Sequence, residues 1–162
     1  MNGKTPAESE VIMTELVLPQ HTNALGSIFG GVVMSWIDIA AAIVAKRHSG
    51  RTCVTASIDE MHFLRPIKQG DIVNIRARIT AVHRTSCEVH VEVSAENPVL
   101  REKFKTTDAM LSFVAVDSQG RPTEMPPLLA ATAEEKTEQE EAKKRKASRE
   151  SLRQSLIKKL KS

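Results

Sequence analysis

The sequence contains little cysteine. Only Cys53 and Cys87 occur among 162 residues, no Cys-x-x-Cys pair is present, and no His/Cys cluster has metal-ligand spacing. A disulfide framework and a structural zinc site are therefore excluded as the basis of the fold. Both cysteines lie in strand-like runs, where a free cysteine is usually a small buried hydrophobe. This usage predicts a reducing, cytoplasmic setting and no bound metal.

A membrane-spanning segment is also missing from the sequence. The apolar stretch from Val32 to Ala45 has 14 residues, whereas a transmembrane helix needs about 20. Residues 1–10 contain no apolar core that could act as a secretory signal. We therefore expect no membrane insertion.

Excess charge is confined to the C-terminal end of the chain. Residues 134–162 hold ten Lys/Arg and six Asp/Glu, which gives them +4, while residues 1–133 carry a net −1. A basic surface for nucleic acid is therefore not expected on the body.

The C-terminal segment, residues 128–162, is predicted to be a charged helix. Leu152, Leu156, Ile157 and Leu160 recur on one helical face. We expect a mostly solvated appendage whose removal leaves a folded, active protein. The alternatives are a strap between subunits, a cover over a neighbouring subunit's site, or a contact with an anionic ligand.

The body, residues 11–127, alternates polar and apolar residues with the period of half-buried strands. Strands are predicted over 11–18, 52–63, 71–83, 86–96 and 107–116, with a helix over 30–47 that Ser49-Gly50 closes. Short connections favour antiparallel pairing. This order predicts an α+β fold in which one long helix is wrapped by a five-stranded antiparallel sheet, preceded by a flexible segment, residues 1–10. The uncovered side of the helix predicts at least a homodimer.

The predicted helix carries one acidic residue, Asp38, in an apolar setting. Ser35 is the only other polar side chain between Val32 and Ala45. A helix that is apolar on every face is buried on every face, and an ionised carboxylate is disfavoured there unless it is paired or used. Asp38 is therefore predicted to be a catalytic carboxylate in the wall of a buried pocket. A structural buried carboxylate is the alternative. Ser35 and Trp36 are expected to pack.

The segment around this helix start resembles the active-site segment of hotdog-fold acyl-CoA thioesterases. The resemblance rests on Asn23-x-x-Gly26, Phe29-Gly30-Gly31 and Trp36-Ile37-Asp38, and it continues at 63–67, 70–71 and 84–86, in family order. It is strongest to single-hotdog bacterial acyl-CoA hydrolases and extends to the cytosolic brain-type acyl-CoA hydrolase. It implies a cytoplasmic hydrolase of lipid and fatty acid metabolism that turns acyl-CoA into a free acid and CoA without a cofactor.

The residues themselves support this chemistry. Backbone N–H groups at the helix start, at Gly30 and Gly31, suit an oxyanion, since neither residue has a side chain to block a thioester. Asn23 is placed to orient substrate or water, or it orders the loop as an Asx-turn. Asp38 lies eight residues, about 12 Å, beyond Gly30. A two-fold related antiparallel helix would bring Asp38 of one subunit to Gly30 of the other. The resemblance implies this same shared site, within a trimer of dimers.

The CoA portion of the substrate has its own candidate residues. Arg84, Thr85 and Ser86 lie at a predicted turn, where an arginine and two hydroxyls suit a phosphate, or where the arginine is simply solvated. The resemblance alone implies that Thr55 and Ser57 lie beside the pantetheine arm.

Two other functions fit parts of the sequence. His62, in His-x-x-x-Pro, is the acid/base candidate of a hotdog dehydratase or hydratase, although the resemblance implies a packing turn there. A non-catalytic acyl-CoA binding module is the second alternative. His21 is expected at the surface of the loop.

Overall fold

The structure, a computed structural model, describes residues 1–59 and 61–161. Its elements in chain order are β1 (Val11–Leu16), α1 (Gly30–Ser49), β2 (Thr52–Ile58), β3 (Ile72–Val82), β4 (Ser86–Asn97), β5 (Glu102–Val116) and α2 (Ala133–Leu160), with short 3-10 turns at Pro6–Glu8 and Pro19–His21. Within this part of the chain, five strands form one antiparallel sheet in the order β1-β3-β4-β5-β2.

Helix α1 packs along the inner face of the sheet. Its buried side consists of small and branched residues, Val33, Ile37, Ala40, Ala41, Val44 and Ala45. The inward residues of β4 complete the core, namely Cys87, Val89, Val91, Val93 and Ala95. Gly50 ends the helix at φ 64°, in the left-handed region that glycine adopts without strain. The predicted hotdog arrangement of a central helix and a five-stranded antiparallel sheet is confirmed.

Two strand boundaries differ from the sequence prediction by five residues, and the others by two or fewer. Strand β2 ends at Ile58 rather than at residue 63, because the chain then leaves the sheet and is held by single contacts, such as Leu64 N to Thr106 O at 2.8 Å. Strand β5 begins at Glu102 rather than at residue 107. Its first residues are polar and largely exposed, and a register shift near Thr106 interrupts the period-two pattern.

Helix α2 lies on the outer face of the sheet, and this corrects the expectation of a mostly solvated tail. Ala142 is fully buried, and Arg78 of β3 forms an ion pair with Glu138. The last three turns of α2 are exposed, including the predicted apolar stripe of Leu152, Leu156, Ile157 and Leu160. Polar residues on the outer face of the sheet therefore contact the first half of α2.

Residues 4–9 also contact the body. The backbone of Lys4 forms an isolated β-bridge with Leu128, and the Lys4 Nζ donates a hydrogen bond to the carbonyl of Arg47 at 2.7 Å. Pro6 and Ser9 are buried. Across residues 1–59 and 61–161, no helix has both the length and the apolar character needed to cross a bilayer.

Candidate active site

The first turn of α1 presents backbone donors at an open surface. The cap residue, Phe29, has no polar side chain to occupy them, and the first N–H groups of a helix have no intrahelical acceptor. A Cβ at Gly31 would meet nothing within 4 Å, and one at Gly30 would lie 3.4 Å from the ring of Phe63. The N–H groups of Gly30 and Gly31 are therefore available to a carbonyl oxygen, and the helix dipole favours negative charge there.

Asn23 organises the loop before the helix. Its Oδ1 accepts hydrogen bonds from the N–H groups of Leu25 at 2.9 Å and Ser27 at 3.3 Å. Gly26, at φ 70°, closes the same turn through its N–H to the Asn23 carbonyl. The Asx-turn considered for Asn23 is thus present. It uses the side-chain oxygen and leaves the amide NH2 as the part that can donate to a substrate.

His21 has a structural place in this loop. Its Nδ1 accepts from the N–H of Leu18 at 3.1 Å, and its ring packs edge-on against Trp36 with centroids 5.3 Å apart. Trp36 in turn packs against the core. These contacts tie the loop to α1.

Asp38 lies on the side of α1 that a single chain leaves uncovered. It is half-buried, and its neighbours Met34 and Ile39 are 40% and 47% exposed. The expectation that the helix is buried on every face is therefore wrong for one chain alone. Thr55 Oγ1 of β2 donates to Asp38 Oδ1 at 2.8 Å. A hydroxyl donor fixes the orientation of the carboxylate.

The sheet register places the candidate CoA-binding residues at one end of the sheet. Thr55 pairs with Phe113, and Ser57 with Ser112, so Ala56 is an extra residue in a β-bulge. An extra residue changes the face of the sheet to which the following side chains point. Thr55 therefore faces α1 with its partner Phe113, whereas Ser57 lies on the outer face with Ser112.

The turn of Arg84, Thr85 and Ser86 lies close by. Ser86 and Val54 both pair with Val114, from opposite sides, so they are two strand spacings, about 10 Å, apart. The carbonyl of Thr85 accepts from Ala115 N at 2.9 Å, which holds the turn in place.

Behind this end of the sheet lies a buried carboxylate that sequence patterns did not identify. Glu88 of β4 has no exposed surface. It accepts hydrogen bonds from Thr80 at 2.8 Å, Arg145 at 2.8–3.2 Å and Arg149 at 2.8 Å. Burial acts to raise the pKa of Glu88, but these donors outweigh it and the pKa is lowered. The only sequence signal for partners of Glu88 is the i, i+4 spacing of Arg145 and Arg149 in the C-terminal segment.

His62 and Cys87, which the sequence analysis also considered, are not part of this site. The backbone carbonyl of His62 accepts from the Thr107 hydroxyl, which fits a packing turn. Burial raises the pKa of the Cys87 thiol, the inert state of a core cysteine. Across residues 1–59 and 61–161, no group of three or more His, Cys, Asp or Glu side chains could hold a metal ion.

Known proteins are similar to this chain in sequence. Residues 25–102 match the family model of the Thioesterase superfamily. The uncharacterized acyl-CoA thioester hydrolase YkhA of Bacillus subtilis is 42% identical over 128 residues, which cover 79% of this chain and 74% of that protein. The chain therefore belongs to the thioesterase superfamily.

Two solved structures are similar to this chain over more than nine-tenths of its length. An apo-hexameric acyl-CoA thioesterase is 40% identical with a TM-score of 0.87, over 93% of this chain and 97% of that one. The acyl-CoA hydrolase of Staphylococcus aureus, solved with butyryl coenzyme A, coenzyme A and coenzyme A disulfide, is 33% identical with a TM-score of 0.88, over 98% and 99%. That hydrolase has also been solved with a single aspartate, asparagine or threonine changed to alanine.

Proposed function

We propose that this protein hydrolyses acyl-CoA thioesters to a carboxylic acid and CoA, with Asp38 as the catalytic carboxylate. The observation that carries the proposal is the hydrogen bond from Thr55 to Asp38 on the uncovered side of α1. It gives the Asp38 carboxylate a fixed direction on a surface that also exposes Met34 and Ile39. Thioester hydrolysis requires such a group to activate water or to attack the carbonyl carbon.

The substituted residues of the Staphylococcus aureus hydrolase support this assignment. The asparagine and aspartate changed to alanine there are 15 residues apart, and the aspartate and threonine are 17 apart. Asn23, Asp38 and Thr55 have the same residue types and the same two separations. We infer that the three residues act together in this chain.

The proposed reaction uses only water and the chain's own groups. The N–H groups of Gly30 and Gly31 and the amide of Asn23 stabilise the oxyanion as the carbonyl carbon is attacked. In one route, water deprotonated by Asp38 attacks the carbonyl carbon, and the C–S bond then breaks to give the acid and the CoA thiolate. In the other, Asp38 attacks the carbon itself, the C–S bond breaks to leave a mixed anhydride on Asp38, and water then hydrolyses this anhydride. In both routes the CoA thiolate takes up a proton. No metal or organic cofactor has a part in these steps.

The site is proposed to form between two subunits. Asp38 and Gly30 of one chain are separated by about 12 Å of helix. An antiparallel second copy across the uncovered side of α1 would bring Asp38 to the Gly30 of its partner. The exposed apolar residues Met34 and Ile39 would be buried in that dimer. The hexameric relative supports a trimer of such dimers.

We also propose where CoA lies and where the protein works. Ser57 and the turn of Arg84, Thr85 and Ser86 share one end of the sheet, and an exposed arginine with hydroxyls suits the phosphates. Cys53 and Cys87 are both free thiols, which suits a cytoplasmic protein. Lipid and fatty acid metabolism is the corresponding setting.

Thiol release from a series of acyl-CoAs, from acetyl to palmitoyl, tests the function. Wild type should release one thiol per acid formed, and Asp38→Asn should lose 10²–10⁴-fold in kcat, the usual cost of removing a general base. Asp117→Asn, a carboxylate change outside α1, is the matched control and should keep full activity. Conversion of an enoyl-CoA without thiol release would indicate the dehydratase chemistry. Binding of CoA esters without any turnover would indicate a binding module.

A further inference from the structure

Arg149 of α2 joins two carboxylates that belong to different strands. Its Nη1 donates to Glu88 Oε2 of β4 and to Asp59 Oδ2, at 2.8 Å each. Asp59 follows β2 directly, and its N–H donates to the carbonyl of Met110 at 2.8 Å. Both partners of this arginine are largely buried, with Asp59 24% and Glu88 0% exposed. The C-terminal helix therefore reaches the end of the strand that carries Thr55 and Ser57.

The contact of Arg149 lies on the outer face of the sheet, the face that carries Ser57. Ser57 and Glu88 both pair with Ser112, so they occupy one row across the outer side of the sheet. Asp59 lies two residues beyond Ser57, on the same side because side chains alternate along an extended chain. The Arg149–Asp59 ion pair is thus next to Ser57 and on the opposite side of the strand from Thr55 and Asp38.

We propose that Arg149 is a positioning residue for acyl-CoA binding: through Asp59 it fixes the end of β2 that lies along the CoA arm. The inference rests on the proposed function. Edge strand β2 pairs on one side only, with β5, and a bulge at Ala56 loosens that pairing. A second attachment at Asp59 holds the strand where the sheet itself holds it weakly. Thr55, which donates to Asp38, lies before the bulge and on the other side of the strand, so loss of the attachment is expected to weaken binding more than the reacting step.

Arg145 provides the matched control, because it shares one partner of Arg149 and lacks the other. It donates to Glu88 through Nε and Nη2, and its other ion pair is with Glu141 of its own helix. Arg145→Met and Arg149→Met therefore remove the same kind of side chain from α2 and the same kind of bond from Glu88. Only the second change releases Asp59.

The experiment compares four full-length variants with the acyl-CoA that wild type hydrolyses fastest. Asp59→Ala and Arg149→Met should each raise KM about three- to tenfold with kcat within about twofold, as expected when binding common to ground and transition states is lost. The double variant should have the KM of Arg149→Met alone, because one interaction is removed twice. Arg145→Met should keep the wild-type KM, although its Tm falls.

Three results would overturn the proposal: an unchanged KM in folded Asp59→Ala, an equal rise of KM in Arg145→Met, or a double variant whose effects multiply. Asp59→Ala removes the acceptor for Arg149 and keeps both arginines on Glu88, so it decides the matter even where Arg149→Met fails to fold. Dissociation constants for CoA, measured by calorimetry on the same proteins, give the comparison without turnover. An absence of thiol release by wild type would refute the hydrolase function, while these constants would still test the role of Arg149.

Discussion

Asp38 has the surroundings of a reactive carboxylate rather than of a structural one. A structural buried carboxylate is usually surrounded by donors, as Glu88 is by Thr80, Arg145 and Arg149. Among the described residues, Asp38 accepts a side-chain hydrogen bond from Thr55 through Oδ1 and lies on a half-open surface. We propose that its second oxygen acts on water or substrate.

The Thr55 hydroxyl is expected to orient Asp38 for this task. Thr55→Val keeps the branched shape on β2 but removes the donor, so Asp38 loses its fixed direction. We expect kcat to fall about tenfold or more, since removal of a catalytic hydrogen bond costs about 10–10³-fold. Thr55→Ser should recover most of the rate. Steady-state thiol release checks both variants, and an equal loss in Thr55→Ser would show that packing rather than the hydroxyl matters.

Asn23 has two roles that two substitutions can separate. Asn23→Asp keeps an oxygen for the N–H groups of Leu25 and Ser27 but has no amide NH2 to donate. It should fold with a Tm close to that of wild type and lose about 10–10³-fold in kcat. Asn23→Ala should lose both the turn and the rate. Thermal melts and kinetics measured together decide this, and a fully active Asn23→Asp protein would leave Asn23 a purely turn-forming residue.

At the scale of elements, the structure changes what is expected of α2. Its first half contacts the outer face of the sheet through Ala142, Arg145 and Arg149, whereas the turns after Glu150 are exposed. A chain ending at Glu150 should keep the Tm and KM of wild type. A chain ending at Ala133 should melt at a lower temperature and bind acyl-CoA more weakly, because Glu88 loses two arginines and Asp59 loses its tether. Equal behaviour of the two truncations would contradict this division of α2.

The sequence predicted those elements whose signals are local. Helix α1 was evident from an apolar stretch that Gly50 ends, and β3 and β4 from their period-two alternation. The bulge at Ala56, which moves Ser57 to the outer face, could not be predicted, because an extra residue in one strand is defined only by its partner. The hydrogen bonds of Thr55 with Asp38 and of Glu88 with the arginines of α2 could not be predicted from the sequence either, because each joins residues that are distant in the chain.

At the scale of the whole molecule, we propose that one chain holds an incomplete site. The donors at Gly30 and the carboxylate of Asp38 lie about 12 Å apart on one helix. Exposed apolar residues, Met34 and Ile39, lie on α1 between and beside them. In the proposed dimer a second copy would cover this surface and complete the site, so catalysis and assembly are expected to depend on the same contact.

Subunit mixing tests this shared site most directly. The two parents are Asp38→Asn and Gly30→Pro, each inactive by itself. Gly30 is the first residue of α1, where proline is tolerated, and Phe29 already has the extended backbone, φ −66° and ψ 132°, that precedes a proline. The proline removes one amide donor without breaking the helix. Both parents must first be shown to be folded oligomers that exchange subunits.

A mixed dimer has one site with both lesions and one with neither. Random pairing makes about half of the dimers mixed, so thiol release should return to about a quarter of the wild-type rate. Recovery to that level would show that Asp38 of one subunit works with the helix start of its partner. Activity that stays at background although the subunits exchange would contradict the shared site and require Asp38 to act on a thioester held within its own chain.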